Sequence, residues 1–306
     1  MASVTDQLPE RASSASAEAV PRAVPWTAIV WFGALLILGS LPILKHLVEQ
    51  WATDEDVNHG FLVPLVAAWI AWGRRERILA LKLEPAWWGL GVMAWGMAQS
   101  YLGWIGAELF LQRSSFLILL VGVLLTMGGV ALVRELAFPL LLLPFMIPIP
   151  AVIYNALTFP LQLFASRVAE WSLDLLGYPV LRDGNILELA SQKLSVAEAC
   201  SGIRSLLSLT FLSIVYAYFF DTRVWMRWVL FVATVPIAII ANAGRVTITG
   251  ILSEINPELA HGFFHELEGW VIFVIAFILL LGLHAAIRAG LGLRHGGTPS
   301  QETPGV

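Results

Sequence analysis

From Trp26 to about residue 290 the chain alternates apolar runs with short polar breaks. The runs define eight segments, roughly 26–46, 60–73, 87–103, 114–133, 136–154, 203–220, 228–250 and 269–289. Most approach the ~20 residues that an α-helix needs to cross ~30 Å of hydrocarbon, so the pattern predicts an all-α polytopic membrane protein with eight transmembrane helices. The second run is short, and its helix is expected to begin near Val57. The fifth contains Pro139, Pro144, Pro148 and Pro150, with Pro160 beyond it. Each proline removes a backbone donor and clashes with the preceding turn, so this segment is expected to break or kink.

Two stretches depart from the spanning pattern. In residues 158–176, Leu161, Phe164, Val168, Trp171 and Leu175 recur at helical spacing while Arg167, Glu170 and Asp174 lie elsewhere on the wheel. That arrangement predicts an amphipathic helix at the membrane interface or against the bundle, the other reading being a slightly polar transmembrane helix. Residues 178–199 carry the turn signal Asp183-Gly184 between short alternating stretches, and predict a small β-hairpin. Open strands are not tolerated in hydrocarbon, which assigns this hairpin to the outer side of the membrane.

Lys and Arg positions set an orientation. With both termini cytoplasmic, the inner segments hold Arg74, Arg75 and Arg77 in one short loop, Arg223 and Arg227 in another, and eleven of the 18 basic residues in all. Short loops are what the positive-inside rule reads. The outer side then collects acids such as Asp54, Asp56, Glu254 and Glu266. Residues 1–23, small and polar, are expected to be a disordered cytoplasmic tail; residues 24–290 form the membrane domain and 291–306 a second cytoplasmic tail. Composition agrees: of 306 residues, 58% are hydrophobic and 13% charged. That is too little charge to cover a soluble domain, and a net charge of −4 gives no support for nucleic-acid binding.

Against so apolar a background the polar residues stand out. Arg245 falls inside the seventh run, where an arginine costs at least ~2.5–3.5 kcal/mol on insertion and so normally faces the bundle interior. Cys200, the single cysteine, sits just before the sixth run in Ala199-Cys200-Ser201-Gly202-Ile203-Arg204. A thiol at a helix N-terminus gains thiolate character, and Arg204 one turn on adds to that field. Backbone N–H groups at Ser201 and Gly202 would be available to an oxyanion. The competing reading of a lone cysteine is a small buried hydrophobe. His265 lies just before the eighth run, at the same depth as Cys200 and Arg245. His261 and His265 have the spacing for metal binding on one helix face, but Gly262 weakens the helix and no further ligand set accompanies them, so no metal or cofactor is expected. His59 on the outer side reads as part of an acidic hydrated loop, and His284 near the inner end of the last run as a packing or interfacial residue.

These residues resemble the motifs of a known family. Ala199-Cys200-Ser201-Gly202-Ile203-Arg204-Ser205-Leu206 is similar to the hallmark of the exosortases, bacterial inner-membrane cysteine transpeptidases of about eight spans. Asn242-Ala243-Gly244-Arg245 looks like their Asn-x-x-Arg motif, and His265 with Gly269 like their His-x-x-x-Gly motif. Asn58-His59-Gly60-Phe61-Leu62-Val63-Pro64 resembles their first recognisable block. The resemblance runs from about residue 50 to 285 and implies Cys200, Arg245 and His265 as catalytic residues. His261 is a second histidine beside the family position; His265 is favoured because Gly269 follows it by four. Glu198, Ser201, Arg204 and Asn242 are supporting candidates, with ordinary surface ion pairing the alternative for Glu198 and Arg204. His59 and His261 are left as substrate-contacting or structural.

What the resemblance implies is cleavage of secreted proteins bearing a C-terminal PEP-CTERM tail, transfer to an unidentified acceptor nucleophile, and a link to exopolysaccharide assembly. The implied partners are such substrate proteins and the lipid bilayer. From the residues alone, a transporter or polysaccharide-export subunit with Arg245 on a substrate path stays open, as does a membrane acyltransferase using Cys200 or His265.

Overall fold

The computed structural model of the chain describes residues 26–196, 202–256 and 263–292. It begins with α1 (Trp26–Gly39), α2 (Leu41–Thr53), a 3₁₀ segment (Glu55–Phe61), α3 (Leu62–Gly73) and the short α4 (Arg75–Ala80). A helical hairpin follows, α5 (Gly89–Ile105) and α6 (Leu109–Glu135), then α7 (Ala137–Leu142), a 3₁₀ turn (Leu143–Met146) and α8 (Ala151–Leu175). Three strands, β1 (Val180–Asp183), β2 (Ile186–Leu189) and β3 (Lys193–Ser195), lead to α9 (Gly202–Phe220), α10 (Val224–Ile255) and α11 (Phe263–Gly290).

The chain is an α-helical membrane protein. Among the described residues, three helices are long and apolar enough to cross a bilayer alone: Leu109–Glu135, Val224–Ile255 and Gly269–Gly290. Two bent pairs, Thr27–Gly39 with Leu41–Thr53 and Ala137–Met146 with Ala151–Leu175, raise the number to five. The eight expected segments therefore differ in kind. α3 has 12 residues and α5 has 17, about 18 and 25 Å of helix against the ~30 Å of the hydrocarbon core. The expected first span is two helices meeting at 66°. Pro42 sits in the first turn of α2, where its missing N–H ends the α1 ladder at no cost to α2. The fifth breaks at residues 147–150, with Pro148 and Pro150 between helices at 82°.

Beyond that break, the expected amphipathic helix is longer than 158–176, running from Ala151 to Leu175 through Pro160. Of the two placements expected for its apolar stripe, the one against the bundle is corrected. Phe164, Trp171 and Leu175 point outward, whereas the face against the protein is Thr158, Ala165, Ser166, Ala169 and Leu173. Where the surroundings are as apolar as a leucine side chain, large apolar residues gain nothing by turning inward, and small ones permit close packing. The α5–α6 hairpin follows the same rule. Gly89, Gly96 and Gly103 recur every seven residues on α5, and a Cβ on them would come within 2.5–2.9 Å of Thr126, Leu119 and Gln112 on α6.

The strands form one antiparallel sheet in the order β1-β2-β3. The first hairpin turns at Asp183–Gly184, with Gly184 at φ 62° and Asp183 opposite Ile186. Beyond the expected hairpin, the alternating stretch at Leu194–Val196 supplies a third strand, and β2 pairs with it so that Leu187 faces Leu194. Leu187, Leu189, Leu194 and Val196 enter one core with Ala165, Ala169 and Leu173 of α8 and Ala243 and Val246 of α10. Polar ties hold the sheet in place. Arg182 pairs with Glu170 at 2.7 Å, the Ser166 hydroxyl donates to the Gly184 carbonyl at 3.0 Å, and Ser191 donates from N–H and hydroxyl to Glu254 at 2.9 and 2.7 Å.

At the opposite end of α9–α11 a chain of polar side chains is buried. His284 of α11 is 2% exposed and lies between the Tyr216 hydroxyl, 2.8 Å from Nδ1, and the Asp221 carboxylate, 3.2 Å from Nε2. An imidazole that donates from Nε2 to Asp221, with Nδ1 against the Tyr216 hydroxyl, satisfies all three groups. The Arg223 N–H donates to Asp221 at 2.7 Å, and Arg227 Nε donates to the Asp221 carbonyl at 2.8 Å. Nearby, Arg74 donates from Nε to the Tyr218 hydroxyl at 3.0 Å and pairs with Glu135 at 3.0 Å. His284 is thus a buried network member rather than a simple packing residue.

Candidate active site at the shared end of three helices

Two packing layers give the relative register of α9, α10 and α11. Ala217, Met226, Leu230 and Leu280 form one cluster, and Leu209, Ala238 and Ala276 another. As numbers fall along α9 and α11 they rise along α10, so α9 and α11 run parallel and α10 opposes them. Seven residues beyond the second layer, two turns or about 10.5 Å, lie Gly202 on α9, Arg245 on α10 and Gly269 on α11. A direct contact supports this layer: a Cβ on Gly269 would lie 3.2 Å from both Cζ and Nη2 of Arg245 and 3.4 Å from Nη1. The guanidinium rests on the α11 backbone in the space that a side chain would take.

Arg245 is 8% exposed and Asn242, one turn deeper, 6%. Both line a cavity of about 10 Å³ with Leu209, Ala238, Ile272 and Phe273, room for about one water molecule. Asn242 also borders a second small cavity with Leu161, Leu206 and Ile239, where α8 meets α9 and α10. The sheet abuts the same stretch of α10, since Ala243 and Val246, the neighbours of Arg245, belong to its core. Low dielectric and fixed packing are the conditions under which a guanidinium best stabilises developing negative charge.

The other predicted residues stand in sequence beside this layer. Cys200 precedes Gly202 by two residues, so covalent geometry keeps it within about 7 Å of that position. Residue 265 is in α11, one turn before Gly269. Glu198, Cys200, Ser201 and His261 lie outside the described residues, as do the side chains of Arg204 and His265. His59 is placed elsewhere. It is 8% exposed in the 3₁₀ segment whose neighbours include α2, α3 and the Leu143–Met146 turn. Its neighbour Gly60 lies against the Trp51 indole, which donates to the Met146 carbonyl at 2.9 Å. The expectation of an acidic hydrated loop at His59 is therefore corrected: the imidazole is enclosed by an apolar core around Trp51, Val63 and Met146.

Sequence reading identified Gly269 only as a motif member; its part in seating Arg245 depends on which helix faces α10. The Asp221–His284–Tyr216 chain was missed, although an acid in a three-residue connection and a histidine within an apolar helix were its visible signals.

No curated protein and no solved structure matches the chain. The family model described as "Transmembrane exosortase" matches residues 51–282, about three quarters of the chain, a stretch that contains the Gly202–Arg245–Gly269 layer and the sheet before it. The chain belongs to the transmembrane exosortase family.

Proposed function

We propose that the protein is a membrane cysteine transpeptidase or endopeptidase that processes C-terminal PEP-CTERM-type tails of secreted proteins. The observation that carries this reading is the seating of Arg245 on Gly269, in a layer whose third member lies two residues from the single cysteine. Cys200 thiolate attacks the scissile carbonyl carbon and a C–S bond forms. Arg245 stabilises the oxyanion. As the C–N bond breaks, His265 gives a proton to the leaving amine, leaving a thioester on Cys200. The acceptor nucleophile then attacks that thioester, His265 takes its proton, and the Cys200 thiolate departs. Water as acceptor gives hydrolysis; an amine or hydroxyl of a surface component gives transfer, and ties the reaction to exopolysaccharide assembly. Asn242 lies one turn from Arg245 and orients it; Glu198, Ser201 and Arg204 set the field around the thiolate.

In this reading all eight apolar segments are membrane-embedded, both termini are cytoplasmic in a bacterial inner membrane, and the site opens to the periplasm. The Arg74–Arg77 and Asp221–Arg227 loops then face the cytoplasm, in keeping with the positive-inside rule. A tail anchored by one helix presents its junction at the depth of the layer.

The test uses the lone thiol. In His265→Cys, mild oxidation is expected to join positions 200 and 265, which requires Cα atoms within about 7 Å. In proteoliposomes with a tailed substrate, Cys200→Ala is expected to abolish processing and Arg245→Ala to reduce it about 10²–10³-fold, as for loss of an oxyanion donor. Processing by Cys200→Ala at the wild-type rate overturns the reading.

A further inference from the structure

The strand that leads to Cys200 is an edge strand, and its backbone groups can be sorted by direction. Leu189 N–H donates to the Gln192 carbonyl at 2.9 Å, Val196 N–H donates to the Asn185 carbonyl at 2.9 Å, and Leu187 faces Leu194. In an antiparallel ladder, hydrogen-bonded and non-bonded pairs alternate. Residues 192, 194 and 196 therefore turn their backbone groups toward β2, and Lys193 and Ser195 turn theirs away from it. Among the described residues, no hydrogen bond is made by the Lys193 N–H, the Lys193 carbonyl or the Ser195 N–H. Leu194 is anchored in the core at 5% exposure, so this open edge is held rigidly. The opposite edge, β1, is engaged with α8 through Arg182 and Glu170.

Three further observations select the occupant. Among the described residues the open edge is Lys193–Ser195, long enough for two hydrogen-bonding residues of an extended peptide but too short to join two copies of the sheet. Ser195 precedes Cys200 by five residues, at most about 18 Å of chain. The core under β3 includes Ala243 and Val246, so the edge is carried on the stretch of α10 that presents Arg245.

We infer that the open edge of β3 is the substrate-docking strand: the extended peptide next to the scissile bond pairs with Lys193 and Ser195 as a fourth strand. This rests on the peptidase reading above and names the part of the substrate that the site holds. Strand addition recognises main chain, and leaves side-chain selectivity to alternate residues. Repeating at ~3.3 Å per residue, a strand along β3 approaches Cys200 within a few residues.

The test separates docking from chemistry by using Cys200→Ala in nanodiscs and a fluorescent synthetic peptide spanning a tail junction. Its backbone is N-methylated at one position at a time. Loss of one hydrogen bond is expected to weaken binding about two- to twelvefold, at alternate positions only. Lys193→Pro removes an outward N–H and leaves the backbone bonds to β2, but also takes away the Lys193–Glu188 side-chain pair; measured against Lys193→Ala, which loses only that pair, it is expected to weaken binding to the same degree. Val180→Pro on the opposite edge is expected to leave it unchanged. A methylation scan without alternation, or no measurable binding, overturns the inference even if Lys193→Pro fails to fold. Alternating binding without a thioester on wild-type protein leaves the docking strand standing and overturns the peptidase chemistry.

Discussion

Gly269→Ala isolates the seating of Arg245 from the stability of its helix. The added methyl would sit 3.2 Å from Cζ and Nη2 of Arg245 and 3.4 Å from Nη1, against the ~3.5–4.0 Å of an unstrained carbon contact. The guanidinium must yield by a few tenths of an ångström. It is the far end of a flexible side chain, so it moves and the backbone does not. On stability two effects oppose: alanine in a helix interior gains about 1 kcal/mol over glycine, and overpacking costs about 1–3 kcal/mol. The expected net change lies between about zero and a loss of about 2 kcal/mol, so the variant should fold. Under the role proposed for Arg245, processing should suffer more than stability, because a displaced oxyanion donor forfeits part of the ~2.7–4 kcal/mol that such a donor supplies. A drop of about tenfold in kcat, in protein that still unfolds in one transition lowered by no more than that loss, is the expected result, read from tail cleavage in proteoliposomes and thermal unfolding by tryptophan fluorescence. In Arg245→Ala protein the same methyl should cost almost nothing, since a double-mutant cycle reports only what the two positions share. Equal losses from Gly269→Ala with and without Arg245 would refute the seating.

Three further outcomes test the fold. Gly129 has φ 73° and ψ −169° inside α6, and a Cβ there would meet the Glu84 carbonyl oxygen at 1.9 Å; Gly129→Ala is expected to lose more than about 3 kcal/mol, and a wild-type melting temperature would contradict it. Gly60→Ala would put a methyl 2.2 Å from Trp51 Nε1, for a loss of about 1–3 kcal/mol that shrinks in Trp51→Phe protein. Burial alone would raise the pKa of Asp221, but hydrogen bonds from the Arg223 N–H and His284, with the charges of both, hold its carboxyl below its ordinary value. Its contribution to stability is therefore complete above the unfolded carboxylate value and is lost as pH falls through that value toward the folded one; Asp221→Asn should flatten this part of a melting-temperature profile taken from about pH 6 to 3.

What was legible in the sequence is what one local constraint decides. Pro148 and Pro150 read as a break because neither donates an N–H, and the helix axis turns there. Asp183-Gly184 read as a turn because glycine accepts φ 62°. Helix α8 shows where local pattern misleads: Leu161, Phe164, Val168, Trp171 and Leu175 make an apolar stripe, yet the buried face is Ala165, Ser166 and Ala169. Stripe and core coincide only when water lies outside. The bend at Ser40 was hidden for the same reason, since apolar residues continue through it. Of the candidate site, Arg245 was legible because a charge in an apolar run demands a partner. Its depth, level with the ends of the sixth and eighth runs, was legible too; its seat on Gly269 was not, because that depends on which helix faces α10.

The His284 contacts also constrain how the Gly202–Arg245–Gly269 layer can open. Tyr216 and Asp221 pin α11 to α9 and to the connection into α10 at one end. Sliding one helix along another would tear this pin, whereas splaying them apart at the free end leaves it intact. His284 is fifteen residues from Gly269, about 22 Å of lever arm. A tilt of about 5° on that arm would shift the Gly269 end by about 2 Å while the pinned end stays in place.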